Sequence, residues 1–538
     1  MKRLLALLLA LILVVGLAAC GGGGDATPTP APPTGGNGPG PDAPDTGLSD
    51  RTFRAAMTAT PTSLDEGYST NAHARHIASY IFETLFTFDD GFNIIPQLAE
   101  DYVVAEDGLS GTVTLRQGIT FHDGSPFGAE DVVASVNRFN GTMLAGKLDA
   151  VTGMEIINNY EVLFTFDRPI ALPQLMAFPQ RVVMMPSHVA AATMDREMTV
   201  SEMIGTGPYR LIDWIPDVHV ELERFEDYVQ DERFPGRTGL GGRRIPYFQR
   251  IFLLPVPEAE ARIAGLETGE FDFAEAIPNT SFNRINDNPD LDVSLVIPRW
   301  SIALEFNHDN GPASDVNFRR ALLYALDMEE VLNTVTFGQQ EFWRLNPSIY
   351  TPEQFFYVAH PAPAVYNTQD LARVQELLDL AGYNGEEVVY LVNRDFDFMY
   401  RASLSIAEQW QAAGINIVLE FNDWPTQIAR AQTLENWAIN QTALSPRLDP
   451  TQLASTLRTG ALSGYGFSSP VMDDILDQLA ISLPDAERHA LWTQAQNMVW
   501  DEVIFLKIGD FFELEAINSR FDGFTSFWHS RFWNLTER

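Results

Sequence analysis

Cysteine is almost absent from this 538-residue chain, which contains only Cys20. A single thiol excludes an intramolecular disulfide and any zinc cluster built on cysteines. Positive charge is scarce too: 72 Asp and Glu face 35 Lys and Arg, a formal net charge of −37. A field of that sign repels polyanions, so neither nucleic acid nor an anionic lipid surface is expected as a partner. Lysine is confined to Lys2, Lys147 and Lys507, and arginine supplies the remaining positive charge. After residue 19 no apolar run approaches the length of a membrane span. Familiar catalytic signatures are missing, since no G-x-S-x-G elbow, H-E-x-x-H, P-loop or G-x-G-x-x-G occurs. His73 and His76 in "HARH" could share a helix face, but no third metal ligand stands near them, so packed or solvated histidines are the expectation. A glycosidase-like carboxylate pair cannot be singled out among so many acids. No catalytic residue, cofactor or metal is expected.

The N-terminus shows what the lone cysteine is for. Lys2 and Arg3 precede an apolar stretch, residues 4–19, that is shorter than the roughly 20 residues of a bilayer span and suits a signal-peptide core. Leu17-Ala18-Ala19-Cys20 then resembles the bacterial lipobox, in which the cysteine thiol is lipidated and the chain is cut before it. Residues 21–50 lack aromatic side chains and are rich in Gly, Pro, Thr and Asp. Such a segment cannot build a core and reads as a tether. The expectation is a signal peptide over 1–19, a lipidated Cys20 and a tether to residue 50. The exported body would then sit at the outer face of the cell membrane or in the periplasm, with the lipid as its only membrane contact.

That body has ample apolar material, with 45% hydrophobic and 11% aromatic residues in the whole chain. Strand-like alternation marks 51–57, 111–116, 160–166, 218–225, 388–392 and 415–421. Helical patterns cover 72–86, 129–139, 314–337, 368–381, 399–413 and 485–500, and a helix over 258–268 is closed by Gly269. Mixed strands and helices throughout indicate an α/β class.

Six blocks in order then carry a family resemblance: "LRQGITFHDGSPFGAEDVVASVNRF" (115–139), "GTGPYRLIDW" (205–214), "ARIAGLETGEFDF" (261–273), "LEFNHDNGPASDVNFRRALLYALDMEEVL" (304–332), "LARVQELLDLAGYN" (371–384) and "AEQWQAAGINIVLEFNDW" (407–424). Together they resemble the family 5 (peptide/nickel/opine) solute-binding proteins of ABC importers. The resemblance implies a monomeric extracytoplasmic receptor with the two-lobed type II periplasmic-binding-protein fold, an inserted subdomain and a hinge. Lobe I would comprise 51–92, 206–298 and 505–538, the inserted subdomain 93–205, and lobe II 299–504. The crossings near Trp300–Glu305 and Phe505–Asp510 would form the hinge. The ligand would close between the lobes for delivery to permease subunits in the membrane. A secreted hydrolase or an adhesive lipoprotein is the competing class; the latter would lack a large cleft.

The resemblance also implies where ligand contacts fall. The first cleft loop places Tyr68, Thr70, Asn71 and Ala72 at the ligand, and Trp300, Trp424, Tyr465 and Phe467 lie in segments that the family sets around the cleft. In peptide-binding members, a carboxylate just ahead of an Asp-Pro pair grips the peptide's α-amino group. Here Asp449-Pro450 matches, but Ser445, Pro446 and Arg447 precede it. Arginine cannot neutralise an ammonium and forks well onto carboxylate or phosphate. Arg447 is therefore expected either to face the ligand or to pair with Asp449. An oligopeptide is the first expectation for the ligand, with an oligosaccharide or another polar oligomer second.

Overall fold

Two long strands organise the molecule. Leu291–Phe306 and Phe505–Asn518 pair antiparallel along nearly their whole lengths. The computed structural model that shows this describes residues 48–538, apart from 60, 62, 70, 143–147, 178–180, 360–363 and 482–483. The expected signal peptide, Cys20, most of the tether and Thr70 thus lie outside the described residues. On one flank of the long pair come Ile439–Leu444, Val388–Asn393 and Ile417–Asn422. On the other come Phe273–Ile277, Ser49–Met57, Phe248–Pro255, His219–Arg224 and Tyr209–Ile215, and Trp343–Arg344 joins from the side to complete an 11-stranded sheet.

Parallel pairs occur where helices cross over. Val388–Asn393 runs parallel to Ile417–Asn422, with the helix Asp397–Ala412 between them in sequence. Ser49–Met57 runs parallel to both Phe248–Pro255 and Phe273–Ile277, which the helix Ala259–Thr268 connects. Central position explains why Ala55, Ala56 and Met57 are buried in succession at the end of the strand. Nearer the edge, His219–Arg224 alternates buried and half-buried residues, as its period-two sequence predicts.

A separate antiparallel sheet, in the order Ala99–Val104, Ser110–Leu115, Glu161–Phe166, Val151–Asn158, packs with the helix Ala129–Asn140 around Leu98, Val113, Phe121, Val132 and Phe164. The main sheet has a core on each side of the long pair. Leu304, Phe318, Leu322, Tyr390 and Trp410 lie in one, and Phe53, Tyr80, Tyr209, Phe532 and Trp533 in the other. Among the described residues no helix is long and apolar enough to cross a membrane.

Two expected helices are shorter than their patterns. The 72–86 helix ends at Ile81 because Phe82 turns extended, and the Thr84 and Leu85 carbonyls accept from Leu98 and Gln97 amides instead. The 314–337 pattern divides into Val316–Tyr324 and Met328–Thr336, with Asp327 capping the second helix at the Glu330 amide. Gly269 does close its helix, in the left-handed conformation at φ 76°. The "FHDG" and "GTGPY" blocks meet. His122 exchanges backbone and ring bonds with Gly205 and Gly207: its amide donates to the Gly205 carbonyl (2.9 Å) and its Nε2 to the Gly207 carbonyl (3.0 Å).

Candidate ligand-binding site

A cavity of about 500 Å³ opens where the long strand pair meets the start of the helix Ala72–Ile81. The pairing between the two long strands loses register between Val296 and Trp300, and Val296, Arg299 and Trp300 reach the cavity from that break. Glu513 and Glu515, two apart on Phe505–Asn518, share a face of the strand and line the same wall. Trp528, His529 and Ser530 close the floor, while Phe396, Phe398, Met399 and Trp424 face them from the far side.

The polar groups of this wall form linked pairs. Asn71 caps the helix, accepting from the His73 amide at 2.8 Å, which sets His73 at the cavity. His73 Nε2 then meets Glu275 Oε1 at 2.8 Å, and the Thr58 amide donates to the same oxygen at 2.6 Å. Burial opposes ionisation of Glu275, but these partners outweigh it and hold the carboxyl down at about 2. Glu513 accepts from Arg299 Nε at 2.7 Å and from the Trp300 indole at 3.1 Å. Glu515 accepts only hydroxyls, from Ser526 and Ser530 at 2.6 Å each, and burial pushes it up to about 7. Beneath the floor the His76 ring stacks on His529 with centroids 5.5 Å apart. Burial pulls His76 down to about 4 and His529 well below the usual histidine value, so both rings are neutral.

A narrow slot adjoins the cavity, sharing Arg299 and Trp300 with it, and Ser445, Pro446 and Arg447 form its opposite wall. Asp449 is not the partner of Arg447. It pairs with Arg488 at 2.6 Å and caps the turn Pro450–Leu453. Arg447 instead donates to Ser445, within its own turn.

The structure therefore brings Asn71, Ala72, Trp300 and Trp424 to the cavity and Arg447 to the slot. It does not bring Tyr68, Tyr465 or Phe467 to either. Tyr68 lies beside Arg138, whose guanidinium is 5.8 Å from its ring centroid. Tyr465 is buried against Trp437 with its hydroxyl toward Glu305, and Phe467 packs edge-on to His308 within a cluster that holds Tyr350 and Trp492. Each ring follows a glycine and is taken up by a packed apolar cluster. Sequence reasoning missed Glu275, Arg299, Glu513, Glu515 and Trp528. The signal was present for the acids: "FFELEAI" (511–517) and "FAEAI" (273–277) set carboxylates inside otherwise apolar strands, which is costly unless the site uses them. Among the described residues no group of histidine and acidic side chains is arranged to hold a metal.

Residues 93–461 match the family model described as bacterial extracellular solute-binding proteins, family 5 Middle. The chain is 25% identical over 512 residues to a probable peptide ABC transporter periplasmic-binding protein of Sinorhizobium fredii, covering 90% of this chain and 93% of that one. It is 24% identical to the glutathione-binding protein GsiB of Pectobacterium atrosepticum over 486 residues, covering 87% and 90%. Among solved structures, the periplasmic binding protein DppA of Helicobacter pylori in complex with the peptide STSA superposes with a TM-score of 0.73 at 19% identity, covering 92% of this chain and 99% of that one.

Proposed function

The chain belongs to family 5 of the bacterial extracellular solute-binding proteins, and from that premise we propose that it captures short peptides in the 500 Å³ cavity and hands them to its permease. It is a substrate-binding protein of the ABC transporter class with a two-lobed type II fold, not an enzyme. The observation that carries the peptide reading is the cavity wall. Aromatic faces from Trp300, Phe396, Phe398, Trp424 and Trp528 can take apolar side chains, and charged groups stand among them to meet polar main-chain atoms. The names of the relatives point the same way, one to peptides and one to glutathione, itself a tripeptide. Aromatic faces also stack on sugar rings, so an oligosaccharide is the second reading.

In this proposal 299–504 is lobe II, 51–92, 206–298 and 505–538 are lobe I, and 93–205 is the inserted subdomain. The long strands cross between the lobes near Trp300–Glu305 and Phe505–Asp510. Cys20 carries the lipid, the tether to residue 50 sets the reach, and the body works as a monomer. Native mass spectrometry of protein purified without added ligand tests the reading. Retained masses should resolve on denaturation into peptides of a few residues. Retention of hexose oligomers instead would replace the peptide reading with the second one.

A further inference from the structure

The slot beside the cavity differs in charge from the rest of the protein. Twelve residues line it, including Arg299 and Arg447, and none is an acid. This holds in a chain where acids outnumber bases 72 to 35. Arg299 uses Nε for Glu513 and Nη1 for the Trp528 carbonyl at 3.4 Å, and its guanidinium lies 5.0 Å from the Trp300 ring centroid. Among the described residues Arg447 has no ion pair, and its guanidinium bonds go only to Ser445. A third guanidinium, that of Arg75, stands 5.4 Å from the centroid of Trp528, the residue whose carbonyl Arg299 contacts. Arg447, a half-buried cation with no carboxylate in ion-pair contact among the described residues, keeps a solvation deficit that an incoming anion relieves.

We propose that Arg299 and Arg447 form an anion subsite that takes a carboxylate of the bound solute, with the rest of the solute lying in the aromatic cavity. The proposal rests on the peptide reading above and adds which end of the peptide is held. The slot holds about 10 Å³ of free space, room for a single carboxylate oxygen and not for a side chain. Arg299 and Trp300 belong to both spaces, so a solute in the cavity reaches the slot without leaving the aromatic wall. Burial pushes the Arg447 guanidinium below its ordinary value, and the nearby Tyr350 and Glu305 offset it only in part.

The test uses the full chain and a randomised tripeptide pool in four forms: unmodified, N-acetylated, C-amidated and doubly blocked. Competitive titration against whichever pool member binds most tightly reads the affinities. The unmodified and N-acetylated forms should bind alike, and C-amidation should weaken binding at least tenfold. Arg447→Ala should shrink the difference between acid and amide to less than threefold. Arg447→Lys, which keeps the charge without the fork, should fall between the two. If amidation costs the native protein nothing, or if N-acetylation is the change that abolishes binding, the anion subsite is wrong while peptide capture stands. If no form of the pool binds at all, the peptide reading falls and the inference falls with it.

Discussion

Buried titratable side chains give the protein a pH dependence of two signs. Glu515, ordinarily near 4.5, sits at about 7 in the fold because burial disfavours its charge and only two hydroxyls support it. Between those values the folded state binds more protons than the unfolded one. The stability it contributes is therefore complete below pH 4.5 and is lost as pH rises through 7. A difference of that size corresponds to roughly 3 kcal/mol. Glu515→Gln imitates the neutral acid, so it should raise the melting temperature at pH 8 by about 2 °C and change it little at pH 5. Equal effects at both pH values would assign the gain to something other than ionisation. His76, His122 and His308 act in the opposite direction, each drawn down by burial to about 4. Their contribution is present above pH 6.5 and lost as pH falls through 4. Thermal melts between pH 4 and 8 should therefore fall most steeply on the acid side, and a flat profile from pH 6 to 4 would contradict the neutral, buried state of these rings.

Among the elements, the "GTGPY" block packs its backbone closely on a neighbouring helix end. A Cβ on Gly205 would strike the Ile81 carbonyl, and one on Gly207 would strike the carbonyls of Tyr80 and Ile81. The Gly207 amide donates to that Ile81 carbonyl at 2.9 Å, so the strand Tyr209–Ile215 begins locked beneath the end of the helix that carries Asn71 and His73. Gly205→Ala should cost about 2–4 kcal/mol in denaturant unfolding, because the obstacle is backbone and cannot swing aside. Gly269→Ala meets no atom within 4 Å and should cost only about 1 kcal/mol, the price of a left-handed cap on a residue with a side chain. Similar losses at the two sites would mean that close approach is not what the first glycine serves. "GTGPY" is thus a packing joint that aligns one wall of the cavity.

At the scale of the whole molecule, the long strand pair is the element common to both sides of the cavity. A hinge there predicts that a saturating peptide reduces the radius of gyration in solution scattering, and an unchanged radius with a tight binder would remove lobe closure from the proposal. The anchor is independent of that motion. Cys20→Ala should leave the melting temperature unchanged and release the protein from membranes, since the tether has nothing to pack. Sedimentation after a high-salt wash decides the matter: a mutant that still pellets has another means of attachment.

The α/β class, the order of the family blocks, the cap at Gly269 and the odd placement of Arg447 were all legible in the sequence, because each depends on local spacing or on a residue type within a short motif. Periodicity overran at Ile81 and across Ala325–Asp327, where the apolar pattern continues but Leu98, Gln97 and the Asp327 cap claim the backbone. The cavity wall was decided only by tertiary structure. Asn71, Glu275, Arg299, Glu513 and Trp528 come from five separate segments; the sheet order sets the strands of Glu275, Arg299 and Glu513 side by side, and a helix start and a C-terminal loop bring the other two. Tyr465 and Phe467 went the other way, taken into packed clusters by Trp437 and His308. A sequence specifies which side chains prefer burial. Whether an aromatic ring meets a ligand or a core depends on what lies across from it, and that partner is set by pairings hundreds of residues apart.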